Sequence, residues 1–312
     1  MVDKNEFSPL EITKSENDEN FDQNEVCDNN QVINRHESKP LTCFEYFKND
    51  LRIPFFSLQE PNGNTIDVRA TFAPFPTWRT ILFRFLLLSL SVVALVIDLL
   101  TTPFLWMWMG YLTHWALIYT LLYQCTILIC SIWPRLFLRQ PDNDNPSLSI
   151  FIRFVWIMYA LATTTEIAVA ILFWGLIYSP SDSITYANVV YHGGTGFFLF
   201  IDGNLISKIP IRLKHFVIVE SMSIIYLFWN IFHSLEDIGI RKGDDNIGEP
   251  LYAILDWQAN PKSSTILSVL VLFCLMPMLY LIIWMCSLFS CRCFCDGSSR
   301  NTTDDVEFTL LV

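Results

Sequence analysis

Two residues in long apolar stretches carry groups able to act as a nucleophile and a base. Thr113 lies in YLTHWALIY, and His192 lies in YHGGTGFFLFIDGNL (Tyr191–Leu205). Each is about eight residues below the outer end of the span expected to carry it, which at 1.5 Å per residue is ~12 Å into the outer leaflet. A hydroxyl and an imidazole at one depth are the minimum of a nucleophile–base pair. A threonine in a transmembrane helix also commonly bonds the carbonyl a turn earlier, so depth alone leaves both readings open. His114, next to Thr113, points about 100° away and is a rival base.

The stretch around His192 is unusual for a membrane. Asn188, His192, Thr195 and Asp202 fall within about 80° of one another on one face of an α-helix. Gly193, Gly194, Gly196 and Gly203 lie among them. An ionisable group at membrane depth costs ~2.5–3.5 kcal/mol or more, so such groups face a bundle interior or a cavity. Small residues let neighbouring helices approach closely, and polar groups also serve as packing glue. Thr113, Thr120 and Gln124 share one face of the second stretch. If Thr113 attacked a carbonyl, Gln124 or Thr195 would be expected to help hold the oxyanion. The run Thr163–Glu166 (TTTE) is expected to hydrogen-bond to the fourth span. Asp98 and Glu220 are expected near the interface.

These residues must be positioned by membrane helices. Of 312 residues, 52% are hydrophobic and 15% aromatic, with mean hydropathy +0.38. A ~30 Å hydrocarbon core needs about 20 apolar residues per helix. The runs imply an all-α, polytopic transmembrane bundle within residues 78–290. Six spans are expected: Trp78–Leu100, Leu105–Ile132, Ser149–Tyr178, Ile184–Ile206, Leu213–His233 and Thr265–Phe289. Residues 1–40 are too polar and acidic to offset their ordering entropy and read as a disordered tail. Residues 41–77 read as an interfacial segment, and 291–312 as a C-terminal tail. The polar N-terminal stretch has no apolar signal-peptide core, so the first span is expected to target the chain.

Basic residues in the short connections set the expected orientation. Arg69, Arg79, Arg135, Arg139, Lys208, Arg212, Lys214 and Arg292 fall on one side, expected to be cytoplasmic with both termini. The membrane would be the plasma membrane or the endoplasmic reticulum. The net charge of −11 argues against nucleic acid; the expected partners are membrane lipids. No metal-ligand spacing, phosphate loop or serine elbow is present, so neither metal nor cofactor is implied. Cys291, Cys293 and Cys295 follow the last span, where cysteines are reduced and open to palmitoylation.

Several segments together carry a resemblance. YLTHW with Tyr119, then HGGTGFFLFID, then YAILDW (Tyr252–Trp257) followed by Asn260-Pro261 resemble the rolling stone proteins. Those are six-span membrane proteins named for a role in myoblast fusion, and the likeness covers roughly residues 44–290. It implies a membrane protein acting in cell–cell fusion or membrane organisation through the outer loop Ser234–Ser264. More distantly the arrangement is similar to the androgen-induced gene 1 / FAR-17a family, intramembrane threonine hydrolases of fatty acid esters of hydroxy fatty acids. That resemblance implies Thr113 as nucleophile, His192 as general base, Asp202 as the matching later acid and a fatty-acyl ester as substrate. Gly193 stands where that family tends to have threonine, and Thr195 where rolling stone proteins often carry asparagine.

Overall fold

The computed structural model describes residues 42–295, apart from 62, 64, 75–76, 102–104, 139–147, 180, 182–183, 237–239, 242–247 and 250. The expected tail at residues 1–40 and the stretch from 296 onward lie outside the described residues. Helix α1 (Cys43–Arg52) and the short α2 (Val68–Phe72) precede α3 (Thr77–Thr101). A 3₁₀ turn at Leu105–Gly110 leads into α4 (Leu112–Ile132), which the short α5 (Pro134–Phe137) follows. Helix α6 (Ile150–Leu172) ends in a π-helical turn at Phe173–Ile177. Then come α7 (Tyr186–Val189), a π turn at Val190–Gly194, α8 (Thr195–Phe200) and a second π turn at Ile201–Ile206. Helix α9 (Phe216–Leu235) precedes a hairpin of two-residue strands, β1 (Ile240–Arg241) and β2 (Gly248–Glu249). Helix α10 (Pro261–Leu270) continues through a π turn at Val271–Leu275 into α11 (Met276–Cys295).

Among the described residues five helices are long and apolar enough to cross a membrane: Thr77–Thr101, Leu112–Ile132, Ile150–Ile177, Leu213–Leu235 and Pro261–Leu288. The chain is an all-α, multi-pass integral membrane protein. The count corrects the expected six. The fourth expected span is helical from Tyr186 to Ile206, but two π turns break it up, and its glycines and polar side chains dilute its apolar character.

The bundle is inverted relative to a soluble protein. Its outside is apolar: Leu82, Phe85, Leu86, Val93, Leu100, Val217, Phe228 and Phe273 are exposed. Helix α3 buries Thr80, Arg84, Leu87, Ser91 and Ala94, a stripe at helical period that includes its polar residues. Helix α6 is enclosed on every side from Tyr159 to Glu166, the pattern of a central helix. Tyr159 packs so closely on the fourth helix that a Cβ at Gly203 would lie 2.0 Å from its ring, which requires glycine there.

One end of the bundle is closed by the segment before α3. Thr42 and Glu45 form a capping box at α1. The Thr42 amide and hydroxyl both donate to the Glu45 carboxylate, holding its pKa below the usual range. Arg212 pairs with buried Asp50 at 3.0 Å and donates to the carbonyls of Ser57 and Gln59. Lys214 donates to the Ile53 carbonyl at 2.7 Å. The expected interfacial segment is therefore anchored to the chain between the fourth and fifth helices.

Candidate functional site

The polar residues inside the bundle form three levels along α4, set by Thr113, Thr120 and the pair Tyr123 and Ser131. At 1.5 Å per residue Thr113 and Thr120 are ~10 Å apart along the helix axis.

The lowest level is an ion pair. Buried Arg84 contacts buried Asp202 at 3.0 Å through Nε. Its Nη1 donates to the Phe72 carbonyl at 2.7 Å and to the Ser131 hydroxyl, and its Nη2 donates to the Ser207 hydroxyl. Tyr123 donates to the other Asp202 oxygen at 2.6 Å. The carboxylate and guanidinium thus tie α3, α4 and the fourth helix together. Arg84 was missing from the sequence-based set. A lone arginine within TILFRFLLL, an apolar stretch, is itself a signal of an internal partner.

The middle level is centred on Glu166. Thr120 donates to one of its oxygens and Thr195 to the other, both at 2.7 Å. Gly196 allows this approach, since a Cβ there would lie 3.2 Å from the Glu166 Cβ. The expected contact between the TTTE run and the fourth span is present.

The upper level is different in kind. Thr113 and His192 line one cavity of about 310 Å³, enclosed by α4, the ends of α6 and its π turn, the π turn at His192, α9, and α10 with its own π turn. Three π turns contribute to its wall. Such turns are rare, cluster at functional sites and leave local gaps in the ladder of helix bonds. His192 has non-helical dihedrals (φ −113°, ψ 26°). Its ring stacks on Phe173 with centroids 3.6 Å apart, and the Trp174 indole donates to its carbonyl at 2.6 Å. Its ring Nδ1 is buried with no hydrogen-bond partner. Among the described residues it is the only such atom on a cavity-lining residue.

Thr113 occupies the first turn of α4, which corrects the expected depth. The helix begins at Leu112 because Tyr111 is extended (ψ 134°). Thr113 is thus near the start of its helix, not eight residues in. Thr101, Thr126 and Thr164 each donate to the carbonyl four residues earlier. Thr113 does not. The Met109 carbonyl receives the indoles of Trp115 and Trp229, and the Gly110 carbonyl receives the Tyr226 hydroxyl. The Thr113 hydroxyl is left without a backbone acceptor a turn behind it.

His114 is committed elsewhere. Its Nε2 meets Asp98 at 3.0 Å, its Nδ1 meets the Trp108 carbonyl, and its ring stacks on Trp108 at 4.3 Å. A carbonyl only accepts, so Nδ1 carries a proton. Trp108 also donates to Asp98, which was expected near the interface.

The loop after α9 roofs the cavity. Leu251, Tyr252, Ile254 and Leu255 line it. The Leu112 amide donates to the Tyr252 hydroxyl at 3.0 Å, and burial pushes the Tyr252 phenol up to about 12. The Trp257 indole donates to Asn230 at 2.9 Å. Asp256 accepts from the amides of Gln258 and Ala259 in an Asx turn. The YAILDW residues therefore build a lid that the sequence alone did not associate with Thr113.

The supporting polar set separates. Thr195 and Asp202 belong to the middle and lower levels and do not line the cavity. Gln124 is buried, its Oε1 unpartnered, and also lies off the cavity wall. Gln124 and Thr195, expected to help hold an oxyanion, and Asp202, expected as the matching later acid, thus lie off the cavity wall. Asn188 sits one turn above His192, half-buried and outside the cavity lining. The side chains of Cys291, Cys293 and Cys295 lie outside the described residues. No known protein family, curated protein or solved structure matches the chain.

Proposed function

We propose that this is a rolling stone-like multi-pass membrane protein that hydrolyses a long-chain fatty-acyl ester inside the bilayer. Thr113 is the nucleophile and His192 the general base. The observation that carries this reading is the shared cavity: Thr113 and His192, whose buried Nδ1 has no hydrogen-bond partner, line the same apolar chamber. Thr113 Oγ1 attacks the ester carbonyl while His192 takes its proton. The proton then passes to the departing alcohol, and a water deprotonated by His192 releases the acyl chain from Thr113. In the first turn of α4 the Leu112 N–H goes to the Tyr252 hydroxyl and the His114 N–H to the Tyr111 carbonyl; on this reading the Thr113 N–H holds the oxyanion in place of Gln124 and Thr195.

The basic residues of the Arg212 end make that end cytoplasmic. With the interrupted fourth helix counted as a crossing, both termini are cytoplasmic, and Cys291, Cys293 and Cys295 are sites for palmitoylation. Purified protein in detergent should be labelled by a fluorophosphonate probe and should cleave a long-chain ester. Thr113→Ala should lower both by at least ~10³-fold, as removal of a nucleophile does elsewhere. Labelling that survives this change excludes Thr113. The alternative is a non-enzymatic role in cell–cell fusion through the loop Ser234–Ser264. It predicts that replacing the loop abolishes fusion while Thr113→Ala leaves it intact.

A further inference from the structure

The wall of the Thr113–His192 cavity contains no Asp, Glu, Lys or Arg. Its polar groups are the hydroxyls of threonine, serine and tyrosine, the Asn230 amide and the His192 imidazole. Of the ionisable groups around it, Glu220 on α9 has an unpartnered Oε2 but does not line the cavity, and two others are occupied. Asp98 faces His114 at 3.0 Å, and Glu166 is held by Thr120 and Thr195. A carboxylate, phosphate or ammonium entering this chamber would lose its water and meet no fixed opposite charge, which strongly disfavours it. A neutral ester loses little by the same transfer, and its chain gains apolar contacts.

The cavity also borders a second hollow on its side. It shares Leu172, Leu176, Leu267 and Val271 with this hollow of about 240 Å³, which is lined by apolar residues and Gly175. That hollow lies between the π turn ending α6 and the π turn beyond α10. Ile171, Leu176 and Leu270 on its rim are 44%, 48% and 51% exposed, continuous with the apolar outer surface of the bundle. Gly175 belongs to the rim, and a Cβ built there meets nothing within 4 Å. The aqueous end is covered instead by Leu251, Tyr252, Ile254 and Leu255.

From the uncharged wall and the adjoining apolar hollow at the bundle surface we propose that the ligand is an uncharged long-chain acyl ester, of the glyceride or wax-ester kind. It enters sideways from the bilayer through the gap between α6 and α10 at Gly175. The proposal deepens the reading of this cavity as an ester site, and its test does not depend on catalysis. Full-length Thr113→Ala protein in nanodiscs is irradiated with a diazirine-bearing diacylglycerol. The same photoreactive chain is presented in parallel as phosphatidic acid and as free fatty acid. The neutral probe should label roughly tenfold more than either charged probe, since neither charge finds a counterion in the wall. Adducts should map to residues 171–176 and 267–271.

Gly175→Trp starts from a Cβ position with open space around it, fills the rim and should lower neutral-probe labelling severalfold at an unchanged unfolding temperature. Leu270→Trp narrows the opposite rim and serves if the first variant does not fold. Equal labelling by the charged probes overturns the assignment of ligand class. Unchanged labelling in a folded rim variant overturns the route. Selective labelling in a protein whose wild type cleaves no ester would refute the hydrolase while leaving this inference standing.

Discussion

Replacing Asp202 by alanine should be among the most damaging single changes in the membrane domain. Arg84 is 1% exposed and places four hydrogen bonds, of which only the one to Asp202 meets a charge. Asp202→Ala leaves a guanidinium buried among a carbonyl and two hydroxyls, and strands the Tyr123 hydroxyl. Breaking one partner of a buried pair costs ~3–5 kcal/mol, most of it the uncompensated charge. For a domain of this size each kcal/mol moves the unfolding midpoint by about 2–4 °C, so a fall of roughly 10 °C is expected. Arg84→Met should cost a similar amount, because it strands the carboxylate. The double variant Arg84→Met/Asp202→Ala removes both charges and should recover much of the loss, giving a coupling energy of several kcal/mol in a double-mutant cycle. Thermal unfolding in detergent, followed by tryptophan fluorescence, reads all four proteins. Additive losses in the double variant, or a negligible shift in Asp202→Ala, would show that the pair is not energetically coupled.

Gly203→Ala should fold poorly, because the new methyl would overlap ring carbons of Tyr159 at 2.0 Å; Tyr159→Phe removes only the hydroxyl and should not rescue it, as detergent gel filtration would reveal. Arg212→Gln removes the charge that faces Asp50 at 3.0 Å and should raise hydrogen exchange in residues 43–59 while sparing α4 and α6. Thr42 lowers the Glu45 pKa from 4.5, so the capping contribution is complete above that value and is lost as the pH falls through the folded-state pKa. The Glu45 amide should accordingly exchange faster in acid than at neutral pH relative to its unfolded rate, and Thr42→Ala should abolish the difference. Thr113→Ser should keep measurable fluorophosphonate labelling where Thr113→Ala keeps none, because it preserves the hydroxyl and loses only a methyl.

The helices were legible in the sequence wherever apolar runs were continuous. The third expected span, Ser149–Tyr178, matches Ile150–Ile177 within a residue, and the first matches as closely. The fourth was misread for a physical reason. An apolar window counts composition, whereas the π turns at Val190–Gly194 and Ile201–Ile206 carry long-range contacts, Phe173 on His192 and Tyr159 on Gly203. The second span was read as starting at Leu105 because tryptophan and methionine there are apolar, yet their backbone forms a 3₁₀ turn whose carbonyls accept side-chain hydrogen bonds. Thr113 and His192 were legible as candidates by residue type. The lid over them was not, because Tyr252 reaches Leu112 across 140 positions of sequence.

A helix wheel placed Asn188, His192, Thr195 and Asp202 on one face and could not say which of them were structural. The partners divide them. Asp202 is matched by Arg84 and Tyr123, and Thr195 by Glu166; in lipid these contacts join helices that have no hydrophobic drive toward one another. His192 has non-helical dihedrals and lines the cavity, and its buried Nδ1 meets no donor or acceptor. Burying an imidazole unpartnered costs stability without strengthening the bundle. Packing could have placed an apolar side chain on Phe173 at no such cost. Gln124 and Asn204 also hold unpartnered atoms, but neither lines a chamber that a ligand can enter. Thr113 adds a second reactive group on the same wall, on the one helix turn whose neighbouring carbonyls are already taken. The lower two levels hold the bundle together, and the upper level is where a bound molecule would complete the hydrogen bonding.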